Sequence, residues 1–335
     1  MSKERASVKD VAELAGVSVG TVSNVLNRPE SVTERTREKV EAAMAELRFL
    51  RNASARQLRA GVSTTVGAVL VDLGNPFYTE IARGIEDRLA MDGHTLMLCS
   101  SDEDADREAY FLRQFAEQGV CGLLVTPMSN TTERLAEFTA FGIPSVLIDA
   151  TSPTLPAVSV DHVSGGRQAI AHLLDKGHRR ILFLTADRRM QQARHRLRGA
   201  AEAVTAAGLE PDEVLQVSSL PVLNATEGES AMLAALDGAG PAPTAVFCIN
   251  DLVALGVLRA LRSRGLSVPR DVAIVGYDDL YWAGELGTPL SSVRQPMRQL
   301  GWAAADLLLN RVEGAPNTMF EPELVVRASS DLDRN

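Results

Sequence analysis

Most of the chain alternates short apolar runs with helical patterns. From residue 64 onward, runs such as TVGAVLV, HTLMLCS, CGLLVTP and PSVLID are apolar, partly β-branched, and bounded by Gly, Pro, Asn or Asp. Helical spacing follows each run, as at Phe77, Ile81, Ile85 and Leu89. The same alternation resumes with RRILFLT, PTAVFCIN and DVAIVGY. It predicts parallel sheets covered by helices, and about 270 residues of it favour two α/β lobes over one sheet domain.

The first 50 residues predict three short helices instead. Ser7 can cap a helix over SVKDVAELA, Gly16 allows a tight turn, and Ser18 can cap a second helix, VGTVSNVLN. A third helix is expected from Thr33 onward. Two short helices joined by a glycine turn are typical of a helix-turn-helix, although a purely structural helical hairpin has the same pattern.

In a helix-turn-helix the second helix enters the major groove of DNA. Asn24 can pair bidentately with adenine, and the hydroxyls of Thr21 and Ser23 suit phosphate contacts or packing of the helix pair. The DNA-contacting positions predicted in the head are Ser18, Val19, Gly20, Thr21, Ser23, Asn24, Asn27 and Thr33.

Charge is distributed unevenly along the chain, whose net charge is −9. Residues 1 to 60 hold 11 Lys and Arg against 8 Asp and Glu, a net charge of +3. The remaining residues hold 23 against 35, a net charge of −12. A basic head on an acidic body is expected when only the head touches DNA phosphates.

Other classes of protein lack support in the sequence. No signal-peptide pattern opens the chain and no apolar run approaches the ~18 residues of a membrane span, so we expect a cytoplasmic protein without membrane contact. Three scattered cysteines, Cys99, Cys121 and Cys248, are expected to be reduced and buried. We find no metal-ligand spacing, nucleophile elbow or catalytic constellation, and expect no enzyme activity, metal or cofactor. The glycine pair in VSGGRQAI can cradle an anion, but close packing or a loose turn is favoured.

The head and the connector resemble a known family. The run VKDVAELAGVSVGTVSNVLNRPESVTERTREKVEAAMAELRF resembles the head of the lactose-repressor family of bacterial regulators, and RNASARQLRAG resembles its hinge. The resemblance implies a hinge helix that forms on DNA, with Asn52, Ala55 and Leu58 as contacts and Leu58 wedged into the minor groove. A plain flexible linker is the alternative. Asn24 stands where the family more often has arginine, so the usual operator sequence is not expected.

The body resembles the same family's sensor domain, which is similar to periplasmic binding proteins. Four segments carry this resemblance: VGAVLVDLGNPFYTEIARGIED, VSVDHVSGGRQAIAHLLDKGHRRI, TAVFCINDLVALGVLRAL and VPRDVAIVGYDD. It implies two lobes joined by three crossings, with a ligand between them. The implied ligand contacts are Arg196, Asn250 and Asp278, with Asp149, Phe77 and Tyr78 on the opposite lobe. A guanidinium, an amide and carboxylates suit a sugar or nucleoside. Gln191, Gln192, Arg194 and Leu223 are further candidates.

These observations predict a domain plan and a function. We expect a helix-turn-helix domain at 1–50, a hinge at 51–63 and an effector-binding and dimerisation domain at 64–335. Its N-lobe spans about 64–160 and 292–320, and its C-lobe about 161–291 and 321–335. The expected protein is a homodimeric regulator, most simply a repressor, that binds a pseudo-palindromic double-stranded operator under control of a small polar effector. The end RASSDLDRN lacks a leucine-heptad tail, which favours a dimer. The alternative is a cytoplasmic solute-binding α/β protein or enzyme with an incidental helical head.

Overall fold

The computed structural model describes residues 6–49, 63–128, 131–311, 314 and 316–331. It divides the chain into two compact units, 1–62 and 63–335. The hinge residues Asn52, Ala55 and Leu58 lie outside the described residues.

The head consists of three helices, α1 (Val8–Ala15), α2 (Val19–Asn27) and α3 (Glu34–Glu46), with a 3₁₀ turn at Pro29–Ser31. Local signals set the helix ends. Ser7 and Asp10 form a reciprocal capping box on α1, and Gly16 ends that helix in the left-handed region at φ 64°. The hydroxyls of Ser18 and Thr33 cap α2 and α3.

A small apolar core joins these helices. Its buried members are Val11, Ala12, Val22, Val25, Val40 and Ala43. Each helix contributes two of them, which is why three short helices that are marginal alone form a domain.

The body contains two six-stranded sheets. The first is parallel throughout, in the order β11-β5-β4-β3-β1-β2. Its strands are β1 (Thr65–Leu70), β2 (Thr95–Ser100), β3 (Gly122–Val125), β4 (Ser145–Ile148), β5 (Ala157–Val160) and β11 (Asn317–Phe320). The apolar runs β1, β3, β4 and β5 form its buried centre, as parallel strands covered on both faces require.

The second sheet has the order β12-β10-β9-β8-β6-β7, and β12 alone pairs antiparallel. Its strands are β6 (Ile181–Thr185), β7 (Leu215–Ser219), β8 (Ala245–Cys248), β9 (Ala273–Asp278), β10 (Ser291–Arg294) and β12 (Glu323–Val325). The doubly covered, two-sheet α/β body predicted from the alternation of strands and helices is therefore confirmed.

Helices cover both sheets. The body helices are α4 (Pro76–Met91), α5 (Ala105–Glu117), α6 (Thr131–Ala140), α7 (His162–Asp175), α8 (Gln191–Ala206), α9 (Pro211–Val214), α10 (Ala225–Asp237), α11 (Asp251–Ser263) and α12 (Met297–Asn310), with a 3₁₀ turn at Ala283–Glu285. Helices α4 and α12 pack together on the first sheet, whereas the pairs α7–α8 and α10–α11 belong to the second lobe.

The chain passes from one lobe to the other at three places within the described body. These crossings join β5 to α7, β10 to α12, and β11 to β12. The first and third crossings contact each other, since the backbone N–H of Asp161 in the first donates to the carbonyl of Phe320 in the third.

Glycines bring the helix pairs into backbone contact. A Cβ on Gly199 of α8 would lie 1.9 Å from the carbonyl oxygen of Val163, and one on Gly166 of α7 would lie 2.1 Å from that of Arg196. The pair α4–α12 repeats this arrangement at Gly84 and Gly301, and α10–α11 repeats it at Gly228 and Gly256. Close packing thus explains the glycine pair in VSGGRQAI.

Within the described ranges, no helix combines the length and apolar character needed to cross a bilayer. Cys248 is buried, Cys99 and Cys121 are half-buried, and all three are free thiols. Burial raises the pKa of the Cys248 thiol well above its usual range, which keeps it protonated and unreactive.

Gly199→Ala should destabilise the body, because its methyl group has no space against α7. Over-packing of this kind costs about 1–3 kcal/mol, and denaturant unfolding measures it. Gly240→Ala is the control, since a Cβ there meets nothing within 4 Å. Equal stability of the two variants would contradict the backbone contact.

Candidate functional site

The second helix of the head, α2, is the one that the sequence predicts to enter the major groove. Val19, Gly20, Asn24 and Asn27 are exposed on it, with Val19 42% exposed although it is apolar. An exposed apolar side chain at the start of a helix suits contact with a thymine methyl group. The structure thus leaves the predicted base-facing positions of α2 accessible.

The hydroxyl-bearing candidates of the head have structural contacts as well. Ser18 Oγ accepts from the Thr21 N–H at 3.0 Å, and the Thr33 and Thr36 hydroxyls lie 2.9 Å apart. Asn27 Nδ2 donates to the Ser23 carbonyl at 2.9 Å. These contacts cap or brace the helices, so a phosphate contact at the same positions would be added to a structural role.

All six predicted effector contacts line one cleft between the lobes. Asp149, Phe77 and Tyr78 come from the first lobe, and Arg196, Asn250 and Asp278 from the second. The space enclosed by the lining residues is about 550 Å³ when the open mouth of the cleft is included. It lies at the carboxyl ends of the strands, as the topology of parallel sheets predicts.

Arg196 is a buried cation in the wall of this cleft. It projects from α8, is 5% exposed, and donates through Nη1 to the carbonyl oxygen of Ile249. Its guanidinium carbon lies 3.5 Å from the centroid of the Tyr277 ring. The ring face and the carbonyl compensate part of the cost of burying the charge.

Asp149 is held by two side chains. His162 Nε2 lies 2.8 Å from its Oδ1, while Gln192 Nε2 donates to its backbone carbonyl at 2.6 Å and to Oδ2 at 3.2 Å. Asp149 itself sits at the end of β4 with φ 56°. Because Gln192 belongs to α8, these bonds link the two lobes across the cleft.

Asp278 ends β9 and lines the cleft from the second lobe. It is 3% exposed, has φ 105°, and accepts from Gln295 Nε2 at 2.7 Å. Burial raises the pKa of Asp278 well above its usual range, and Arg196 acts in the opposite direction. Asp149 and Asp278 thus both have left-handed backbones at strand ends, a strain that marks functional positions in many folds.

Asn250 follows β8 and caps α11. Its Oδ1 accepts from the Val253 N–H at 2.8 Å, and its Nδ2 donates to the Leu223 carbonyl at 3.2 Å. Only part of its hydrogen-bonding capacity therefore remains for a ligand.

The aromatic pair begins α4. Phe77 and Tyr78 meet edge to face with centroids 4.9 Å apart, and Phe77 is buried in the first-lobe core. Burial and the charges of Asp149 and Asp278 raise the pKa of Tyr78 well above its usual range. Tyr78 therefore stays neutral and offers the cleft a hydroxyl and a ring.

The four further candidates for ligand contact differ in whether they line the cleft. Gln192 and Leu223 line the cleft, whereas Gln191 bonds across it, accepting from the Thr151 N–H at 2.8 Å. Arg194 is exposed and donates to the carbonyls of Arg188 and Arg189, so it is not a cleft residue.

Sequence reasoning missed four polar groups at the cleft. Asp72, Asn75 and Glu103 line it, and His162 contacts its wall. Asp72 and Glu103 closely follow β1 and β2, so the rule that ligands bind at the carboxyl ends of strands was a signal for both. No cluster of His, Cys, Asp and Glu among the described residues could hold a metal ion.

Two family models match the chain. The model of bacterial regulatory proteins of the lacI family matches residues 7–52, and that of the periplasmic binding protein-like domain matches residues 170–330. The first model covers the head. The second covers most of the second lobe together with α12 and β11 of the first.

Individual proteins match almost the whole length. The HTH-type transcriptional repressor PurR of Aliivibrio salmonicida is 33% identical, covering 97% of this chain and 98% of its own. The ribose operon repressor of Bacillus subtilis is 35% identical, over 93% of both. A crystal structure of the lac repressor dimer bound to operator and the anti-inducer ONPF superposes with a TM-score of 0.85 at 29% identity, covering 98% of this chain and 99% of that one.

The two named relatives are transcriptional repressors. The chain belongs to the lacI family of bacterial regulatory proteins and is a DNA-binding transcriptional regulator.

Proposed function

We propose that the protein is a repressor whose operator affinity is set by a neutral, hydroxyl-rich effector, a sugar or a nucleoside, bound between its lobes. One observation carries this proposal: Arg196, Asn250, Asp278 and Asp149 come from four separate segments and line a single cleft. Side chains from both lobes would hold the ligand, so binding favours a closed arrangement of the lobes.

The polar groups of the cleft indicate the class of effector. The lining includes four acidic side chains, Asp72, Glu103, Asp149 and Asp278, against the single guanidinium of Arg196. Burial raises the pKa of Glu103 and of Asp278, so these two groups hold a proton more readily, but their carboxyl oxygens still accept hydrogen bonds. A lining with four carboxyl groups and one cation favours a ligand with many hydroxyl donors over a phosphorylated or acidic one. Leu223, Ile249 and Tyr78 also line the cleft and suit the apolar face of a ring. The ribose operon repressor among the relatives makes pentoses the first sugars to test.

The residues themselves favour binding over catalysis. His162 and Asp149 pair as in many hydrolases, but the second ring nitrogen of His162 faces Arg196 and the buried Tyr277 phenol, whose pKa is raised by burial, rather than a serine, threonine or cysteine side chain. We infer that the protein is not an enzyme. A regulator of bacterial DNA works in the cytoplasm, and we assign it there.

A homodimer would provide the two heads that a pseudo-palindromic operator requires. The lac repressor that this chain resembles is a dimer on its operator. We propose the same assembly, with a head at 1–50, a hinge at 51–63 and a body at 64–335. The first lobe would span about 64–160 and 292–320 and the second about 161–291 and 321–335, with one adjustment: β10 (Ser291–Arg294) pairs in the second sheet, so the second lobe extends to the end of that strand.

The primary test is selection of genomic fragments by the purified protein at physiological salt, followed by challenge with sugars and nucleosides and with their phosphates. A palindromic site released or tightened by an unphosphorylated compound supports the proposal. Failure to select any site, or a response confined to phosphorylated or acidic compounds, overturns it.

Asp278→Ala should abolish the effector response while operator binding persists, because Asp278 belongs to the cleft and not to the head. Operator affinity measured with and without effector tests this, with Asp175→Ala, exposed at the end of α7, as the control. A normal response in Asp278→Ala would place the effector elsewhere.

Asn250 variants should separate capping from ligand binding. Asn250→Ala removes the cap of α11 and lowers the free energy of unfolding by about 1 kcal/mol, while Asn250→Ser retains a capping oxygen and most of the stability. Both lack the amide, so both should weaken effector binding by calorimetry. Full affinity in Asn250→Ser would leave Asn250 with a structural role only.

Leu58→Ala should weaken specific operator binding by about tenfold or more. A side chain wedged into the minor groove bends the DNA, and the added contacts that the bend permits outweigh an unstacking cost of a few kcal/mol, so losing the wedge loses those contacts. Gel-shift titration against operator and random DNA measures it, with Gln57→Ala as the neighbouring control. Unchanged affinity would remove the wedge from the mechanism.

A further inference from the structure

One histidine, His162, lies at the first crossing between the lobes and contacts side chains that line the cleft. His162 is the first residue of α7, immediately after the first crossing, and is 3% exposed. Its ring contacts Asp149 of the first lobe and Arg196 and Tyr277 of the second. One imidazole therefore touches polar side chains from both lobes.

The partners of the ring determine its protons. Burial lowers the pKa of His162, which favours the neutral ring. The Asp149 carboxylate accepts from Nε2 at 2.8 Å, so Nε2 carries the hydrogen. Nδ1 is then the acceptor, and it receives the Tyr277 hydroxyl at 3.2 Å and the Arg196 Nε–H and Nη2–H at 3.4 Å each. Every polar atom of the ring has a partner of the right kind in this one tautomer.

Each partner of the ring belongs to the cleft wall or adjoins it. Asp149 and Arg196 line the cleft, and Tyr277 precedes Asp278, which also lines it. Asp149 and Arg196 have opposite charges and project from different lobes, so their orientation toward a ligand depends on what lies between them. The imidazole occupies that place.

We propose that His162 is a positioning residue for effector binding: as the Nε2–H tautomer, it orients the Asp149 carboxylate and the Arg196 guanidinium together, and thereby fixes the two lobes relative to the effector. This inference rests on the proposed function of the cleft. If His162 only filled space, effector affinity would not depend on which hydrogen bonds the substituted side chain keeps.

The first test reads the tautomer directly. Nitrogen-15 NMR of the histidine-labelled full-length protein, with the His162 signals assigned by their loss in His162→Gln, should show a neutral ring protonated at Nε2. Tyr277→Phe removes one donor to Nδ1 and should shift the Nδ1 resonance more than the Nε2 resonance. A ring protonated at Nδ1, or a charged ring at neutral pH, overturns the proposal.

The second test measures effector affinity by calorimetry with the compound that releases or tightens the operator complex. His162→Leu removes both sets of hydrogen bonds and should weaken binding at least about tenfold. His162→Gln keeps an amide donor for Asp149 and should restore part of the loss. His178→Gln is the matched control, because His178 is half-buried and bonds to Thr244 at 3.1 Å, outside the cleft lining; it should change affinity less than about twofold.

Each outcome separates the two proposals. The positioning role is overturned if His162→Gln binds the effector no more tightly than His162→Leu while both variants unfold cooperatively. It is also overturned if the His162 and His178 variants lose effector affinity equally. A wild-type protein that selects an operator but responds to no sugar or nucleoside contradicts the proposed effector class. The tautomer measurement needs no ligand, so a ring protonated at Nδ1 or a charged ring overturns the role of His162 whichever effector the protein binds.

Discussion

The cleft depends on the burial of one positive charge. A guanidinium removed from water must have its N–H groups bonded and its charge balanced nearby, because an uncompensated buried charge costs several kcal/mol. The Arg196 guanidinium bonds to a backbone carbonyl and an imidazole nitrogen and lies on an aromatic ring face, each from a different segment of the body, and the carboxyl groups of Asp149 and Asp278 line the same cleft. These partners leave the side chain little freedom. An effector would therefore encounter donors already fixed in space, which reduces the entropy lost on binding.

Much of the fold was accessible from sequence because its signals are local. Apolar runs bounded by Gly, Pro or Asn became strands, and Ser7, Ser18 and Thr33 became helix caps, since a side-chain oxygen can reach the free amides of the next turn wherever such a residue precedes a helix. Arg196, Asn250 and Asp278 came from resemblance to a family. Periodicity does not single them out, because their proximity depends on how three different strand-helix units associate.

The residues that escaped prediction escaped for physical reasons. His162 has an apolar neighbour on its C-terminal side and no metal-type spacing, so nothing in its sequence distinguishes it from a core histidine; its partners lie 13, 34 and 115 positions away. Asp72 and Glu103 stand in polar loops where acidic residues are common. Arg194 shows the opposite case: its neighbours at 192 and 196 face the cleft, but a position midway between them projects from the other side of the helix.

The contact between α7 and α8 is made by main chain, at Gly166 and Gly199. Main-chain atoms are the same for every residue, so the spacing of these two helices does not depend on the rotamers or volumes of surrounding core residues. His162 begins one helix and Arg196 projects from the other, so the spacing of the two helices sets the distance between these two side chains. Substitutions in the hydrophobic core that leave Gly166 and Gly199 in place should therefore leave the distance between these two polar groups unchanged.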